Sequence, residues 1–305
     1  MKVTNIHPIT QIDANSGENY HDGRPCFSPD GKTVLFERNG NSIPLQEFWT
    51  VDVNTKSESF YYKSDRYACS RASWSWNPQA MQNQIVFTGV FPKDDLPMGR
   101  IMLLTEYAPN GTALQLPLRK DYENAELYYP TWYANEDTLL VTDYSNQQPK
   151  LLKISINTLR PEVLTYKDFW SGMGTVNPVN ADLIAYAGQP VTSEGYNQQN
   201  NKVYLQNGNN EPILFSETIP GVNGRAPWFS NDGLVMAFES QSETTNLQIF
   251  LKSIDLTNPN TPIIPVSDPN YPAQHAKFSP DGSKLVWAQK DETGGPRIYM
   301  GTIEY

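Results

Sequence analysis

Phe27-Ser28-Pro29-Asp30-Gly31-Lys32-Thr33-Val34-Leu35-Phe36 decides the fold because it returns twice. Its copies are Phe278-Ser279-Pro280-Asp281-Gly282-Ser283-Lys284-Leu285-Val286-Trp287 and Phe229-Ser230-Asn231-Asp232-Gly233-Leu234-Val235-Met236-Ala237-Phe238. Proline presets φ at the second position of a type I turn and glycine accepts the last, so each copy joins a first strand to a strongly apolar second one. Degenerate copies fill the gaps: Trp74-Ser75-Trp76-Asn77-Pro78 before Gln84-Ile85-Val86-Phe87, Trp132-Tyr133 before Leu139-Leu140-Val141, and Val176-Asn177-Pro178 before Leu183-Ile184-Ala185-Tyr186. Anchors at 27, 74, 132, 176, 229 and 278 define six units, and periods of this size mean radial or linear repetition of a supersecondary unit.

Each unit reads as four short strands. The third is visible as Phe48-Trp49-Thr50-Val51, Ile101-Met102-Leu103-Leu104 or Ile249-Phe250-Leu251, and the fourth is shorter, more polar and rich in proline, as in Pro262-Ile263-Ile264-Pro265. Proline is tolerated there because an outer strand has a free edge. The sixth unit stops one strand short at Ile298–Tyr305, while His7-Pro8-Ile9-Thr10-Gln11-Ile12-Asp13 matches the fourth-strand pattern of Thr261–Asp268. The expectation is an all-β six-bladed β-propeller of four-stranded blades, one domain over residues 1–305. Its blades start near 24, 71, 129, 173, 225 and 275, and residues 3–12 complete the sixth blade and close the ring.

With 33 acidic against 23 basic side chains and a formal charge of −10, the 305-residue chain lacks the basic surplus that nucleic-acid binding needs. No apolar run approaches the roughly 20 residues that cross a bilayer, so no membrane insertion is expected. Residues 1–8 lack the apolar core of a signal peptide. The chain as written is therefore expected to be cytoplasmic, or periplasmic or secreted if a leader has been removed. Two cysteines, Cys26 and Cys69, are too few for a disulfide framework.

The repeated unit resembles the WD40-like repeat of TolB-type propellers, cleanly at Phe27, Phe229 and Phe278 and loosely over the rest of the chain. In that family the propeller is paired with a separate N-terminal domain and serves protein docking, and related propellers front prolyl-oligopeptidase-type peptidases. The length of this chain leaves no room for either partner domain, which implies a stand-alone propeller.

Three residues before each anchor, at the expected mouth of the central channel, stand Arg24, Arg71, Tyr129, Met173, Ala226 and His275, with Arg225 one step from its slot and Trp170 among the aromatic residues of the same loops. Converging arginines on an acidic chain would form a local positive well suited to carboxylates. Arg24, Arg71, Tyr129, Arg225, His275 and Trp170 are therefore the candidate ligand-binding residues, and the expected partner is a protein segment or an acidic glycan. The competing structural reading pairs each arginine with a nearby acid, Asp22, Asp65 or Glu217, to knit blades together.

Chemistry is sparser. No Gly-x-Ser-x-Gly, His-Glu-x-x-His or Cys-x-x-Cys motif occurs, so no catalytic residue, metal or cofactor is expected. His21, Gln274 and His275 are the weak metal candidates, an arrangement that resembles manganese-dependent oligogalacturonate lyases. An arginine trio in a six-bladed propeller also resembles sialidases, although Ser-Pro-Asp-Gly does not match their Ser-x-Asp-x-Gly-x-Thr-Trp box. A non-catalytic binding module is thus the first expectation, and an enzyme acting on an anionic sugar the second. Catalysis would require a positioned acid/base pair or a metal at the mouth, whereas binding requires shape, aromatic surface and charge.

Overall fold

The computed structural model describes residues 1–11, 19–75, 84–92, 98–104, 111–119, 122–134, 137–146, 148–216, 223–241, 245–258, 260–292 and 294–305. An N-terminal strand, β1 (Lys2–Pro8), precedes blade one, which consists of β2 (His21–Phe27), β3 (Thr33–Gly40), β4 (Ile43–Asp52) and β5 (Glu58–Tyr62). Blade two holds β6 (Ala68–Trp74), β7 (Ile85–Val90), β8 (Gly99–Leu104) and β9 (Ala113–Gln115), and blade three β10 (Leu127–Trp132), β11 (Thr138–Asp143), β12 (Lys150–Ser155) and β13 (Pro161–Val163). Blade four is β14 (Phe169–Asn177), β15 (Asn180–Pro190), β16 (Lys202–Asn207) and β17 (Ile213–Leu214), and blade five β18 (Asn223–Phe229), β19 (Val235–Gln241), β20 (Gln248–Ser253) and β21 (Ile263–Pro265). Blade six has β22 (Ala273–Phe278), β23 (Lys284–Gln289) and β24 (Arg297–Glu304) from the C-terminal end, and β1 as its outer strand.

All six sheets are antiparallel and four-stranded, so the chain is an all-β six-bladed propeller, as its repeats predict. The ring is closed by antiparallel pairing of β1 with β24, with Val3 opposite Ile303 and His7 opposite Met300. Beyond Pro8 the chain stays attached: the Ile9 amide donates to the Ile298 carbonyl at 2.8 Å, and the Ile298 amide donates to Thr10 Oγ1 at 3.0 Å. Residue 12, the end of the predicted closing segment, lies outside the described residues. Among the described residues no helix is long and apolar enough to cross a membrane.

The Ser-Pro-Asp-Gly turn recurs with one geometry. Ser28 Oγ donates to Asp30 Oδ1 at 2.7 Å and accepts the Thr33 amide at 3.0 Å, while the Gly31 amide returns to the Ser28 carbonyl. Ser230 with Asp232 and Ser279 with Asp281 repeat this network. Gly31, Gly233 and Gly282 all take φ near +70°, a left-handed conformation that explains why glycine closes each copy.

Apolar side chains pack between blades rather than in one central mass. Phe27, Val34, Phe36 and Val51 of blade one meet Val286, Ile298 and Met300 of blade six, with Ile9 fully buried among them. The seam between blades one and two holds both cysteines as free, buried thiols, and burial pushes the Cys26 thiol up to about 12.

Candidate functional site

Every first strand carries the same irregularity. Its register with the second strand slips between Gly23 and Cys26, Ser70 and Ser73, Tyr128 and Thr131, Gly172 and Thr175, Arg225 and Trp228, and Gln274 and Lys277. One residue inside each slip is left-handed although it is not glycine: Arg24 (φ 42°), Arg71 (56°), Tyr129 (55°), Met173 (52°), Ala226 (46°) and His275 (59°). Six bulges of this kind, each costing on the order of 1 kcal/mol or more, turn one side chain per blade toward the axis. All six residues line a single central pocket.

The backbone of three bulges is held by the neighbouring blade. The His275 amide donates to Glu239 Oε1 at 2.5 Å and the Met173 amide to Thr142 Oγ1 at 3.0 Å, and the Arg71 amide donates to Glu37 Oε1. In each case the acceptor lies on the second strand of the preceding blade. Strain at the axis is thus offset by hydrogen bonds across a blade seam.

Glu37 and Glu239 are buried carboxylates, 2% and 0% exposed. Glu37 Oε2 takes Arg24 Nη1 at 2.7 Å and Gln46 Nε2 at 2.6 Å, and Glu239 Oε2 takes Arg225 Nε at 2.7 Å. Burial pushes the Glu239 carboxyl up, and Arg225 beside it pulls the other way. These two acids, not Asp22, Asp65 or Glu217, are the arginine partners. Asp22 is held bidentately by Arg38 at 2.7 and 2.9 Å, no bond joins Asp65 to Arg71, and residue 217 lies outside the described residues.

Arg71 differs from the other two. Its guanidinium lies over Tyr129 at 4.4 Å and Tyr128 at 5.3 Å and donates to Ser70 Oγ at 3.1 Å, and among the described residues it meets no carboxylate. Arg71 Nε and Arg24 Nε are both buried without a hydrogen-bond partner. Beside them His275 is held neutral, its pKa driven well below the usual imidazole value by burial and then by Arg24, Arg225, Arg71 and Lys277. The mouth is therefore a positive region with unspent donors, set in small apolar walls such as Ala72, Pro130, Gly174 and Pro227.

Two candidates lie elsewhere. Arg225 sits one residue off the bulge and turns onto Glu239 instead of the channel wall, because successive strand residues face opposite ways. Trp170, three residues before the bulge, is 5% exposed and packs edge-on to Tyr196 at 5.7 Å. His21, Gln274 and His275 do share a second pocket between the first and last blades. Among the described residues, however, no group of three or more His, Cys, Asp or Glu side chains is arranged to hold a metal. The surrounding arginines and Lys277 weigh against a divalent cation at His275, while the buried Glu239 carboxylate, 4.0 Å from its Nε2, is already engaged by Arg225. His7 lies on the outer strand β1.

Glu37, Glu239 and Lys277 were not among the sequence candidates. The two glutamates stand at matching places, each following the phenylalanine that ends its copy of the repeat (Phe36 and Phe238), and that alignment is the signal that could have found them.

No protein-family profile and no curated protein matches this sequence. Solved structures resemble it in fold. A putative TolB from Agrobacterium tumefaciens superposes with a TM-score of 0.64 at 13% identity, over 95% of this chain and 92% of its own. An oligogalacturonate lyase in complex with manganese gives 0.60 at 12% identity, over 100% and 95%. The β-propeller domain of the Trilobed protease from Pyrococcus furiosus, described as having an open velcro topology, gives 0.54 at 14% identity, over 93% and 82%. The shared class is the six-bladed propeller that includes the TolB propellers. In this chain strand β1 closes the ring by pairing with β24.

Proposed function

We propose that this propeller is a non-catalytic binding module that captures a partner, a protein segment or an acidic glycan, by a carboxylate placed at the channel mouth. One observation carries the reading: Arg71, stacked on two tyrosines, has no acid partner among the described residues, and its Nε is buried and unbonded. A carboxylate meeting such a guanidinium gains a charge-assisted contact of about 1.5–3 kcal/mol. Arg24 contributes a second guanidinium at the mouth, and the neutral His275 adds a group that donates or accepts without bringing another charge.

The test is calorimetry of acidic peptides and acidic oligosaccharides against wild type, Arg71→Ala and Arg24→Ala, with the fold checked by circular dichroism. Charge-assisted contacts contribute about 1.5–3 kcal/mol each, so either variant should bind roughly ten- to a hundredfold more weakly. A ligand held equally tightly by both variants would make these arginines structural.

A second reading, an enzyme acting on an anionic sugar, draws on the likeness in fold to an oligogalacturonate lyase and on the cavity that His21, Gln274 and His275 share. It needs a metal or an acid/base pair, and the cationic surroundings of His275 weigh against both. A stoichiometric transition metal in the purified protein, lost in His275→Ala, would favour it over binding alone.

A further inference from the structure

One amine in the channel takes no part in the ion pairs of the mouth. Lys277 lies two residues beyond the left-handed His275 on β22 and borders both the mouth pocket and a further pocket lined also by Cys26, Trp74 and Pro280. With Ser73 and Trp228 it is common to both, so it lies where the two cavities adjoin. Its Nζ stands 2.9 Å from the centre of the Trp228 ring. Among the described residues no hydrogen bond or ion pair reaches it, in contrast to Lys2, paired with Glu304, and Lys252, bonded to the Phe215 carbonyl. Burial brings its pKa down to about 7, so a substantial share of the amine carries a free lone pair at neutral pH.

We propose that Lys277 is a nucleophilic amine that takes a small aldehyde or keto acid as a Schiff base inside the channel, with the carboxylate of that compound held at Arg71 and Arg24. The carboxylate part rests on the anion-binding reading of the mouth. The nitrogen lone pair attacks the carbonyl carbon, the carbonyl π electrons move to oxygen, and a proton passes from nitrogen to that oxygen to give a carbinolamine. Loss of the hydroxyl as water leaves the imine, with no oxidant or reductant consumed. The two arginines supply the charge that selects a carboxylate, and the small apolar walls favour a slender ligand.

Full-length protein is incubated near pH 7 with glyoxylate, or with neutral acetaldehyde, in the presence of sodium cyanoborohydride, and modified lysines are located by peptide mass spectrometry. Reduction of the glyoxylate imine leaves carboxymethyl-lysine. Lys277 should be labelled ahead of Lys2 and Lys167, whose side chains are 67% and 87% exposed. Lys277→Arg should abolish the fast label while keeping the circular dichroism spectrum. Arg71→Ala should slow glyoxylate labelling by about tenfold and leave acetaldehyde labelling unchanged. Labelling of Lys277 no faster than of Lys2 by either aldehyde would overturn the nucleophile, whatever calorimetry shows for anions. Fast labelling by both aldehydes that ignores Arg71→Ala would overturn the carboxylate part, and with it the anion reading of the mouth.

Discussion

Glu37 and Arg71 meet across the seam between the first two blades: one carboxylate oxygen accepts the Arg71 backbone amide, and the other takes the Arg24 guanidinium at 2.7 Å. One buried acid thus fixes two of the six left-handed residues at the axis, one through its backbone and one through its side chain. Glu239 holds the backbone of a third, His275, and the side chain of Arg225, the residue before the left-handed Ala226. A channel whose arginines are positioned in this way presents its remaining donors already oriented, which lowers the ordering cost of binding.

Removing either acid should therefore be costly. Glu37→Ala and Glu239→Ala leave a partly buried arginine and a backbone amide without their acceptor, and we expect each to lose about 3 kcal/mol of stability in urea unfolding. Glu37→Gln retains an oxygen for the amide and should cost less. Equal stability of Glu37→Ala and wild type would mean that the bulge is held by the strands alone.

The turn network makes a sharper comparison. Ser230 is 1% exposed, and its hydroxyl both donates to Asp232 and accepts the Val235 amide at 2.9 Å, so Ser230→Ala should cost about 1–3 kcal/mol. Ser283, whose hydroxyl makes exposed contacts to both Asp281 carboxylate oxygens at 2.8 Å, should cost a few tenths at most on truncation. Thermal unfolding of the two variants side by side would decide between a structural turn and a merely polar one.

Much of the fold could be read because each repeat carries its own turn chemistry, and counting three residues back from each anchor falls on the same bulge in all six blades. The position of a side chain on a repeat is a local property. Its partner is not: Glu37 bonds to Arg71 and Glu239 to His275 across blade seams, contacts that no local pattern displays. Arg225 and Trp170 turn away from the channel wall for a related reason, since a step of one or three residues along a strand reverses the face presented. Lys277 stands two residues from a bulge and reads in sequence as an ordinary strand lysine.

Closure by β1 predicts a specific weakness. Deleting residues 1–11 removes the pairing with β24 and the buried Ile9, and exposes an unpaired strand edge. The truncated protein should melt several degrees lower and associate in size-exclusion chromatography. An unchanged melting temperature with monomeric elution would show that β24 can serve as an outer edge by itself.

The left-handed slot is testable where its side chain is smallest. Ala226 holds φ 46° with no polar contact to maintain, so Ala226→Gly should be neutral or stabilising by up to about 1 kcal/mol. Ala226→Val places a β-branched residue in the same conformation and should cost about 2 kcal/mol. If valine were tolerated as well as glycine, the bulge would relax in solution and the six-fold arrangement at the axis would not be held rigidly.

The Lys277 amine should leave a signature in the pH dependence of stability. Its folded pKa of about 7 lies below the ordinary lysine value of 10.5, so between these limits the unfolded chain binds more protons at this site than the folded one. Stability then rises with pH across that window, by up to about 1.4 kcal/mol for each pH unit, and below the window the buried amine carries its full charging cost. Lys277→Met has a similar length and no charge, so its stability advantage over wild type should be largest at pH 6 and shrink steadily toward pH 10. Urea titrations at four or five pH values give the comparison directly, and titrating groups that do not interact with Lys277 cancel in the difference, which leaves Lys277 with its neighbours Cys26, Glu239 and His275. A difference that stays flat from pH 6 to 10 would mean that the amine keeps its ordinary proton affinity in the channel, with the Trp228 face compensating for lost hydration.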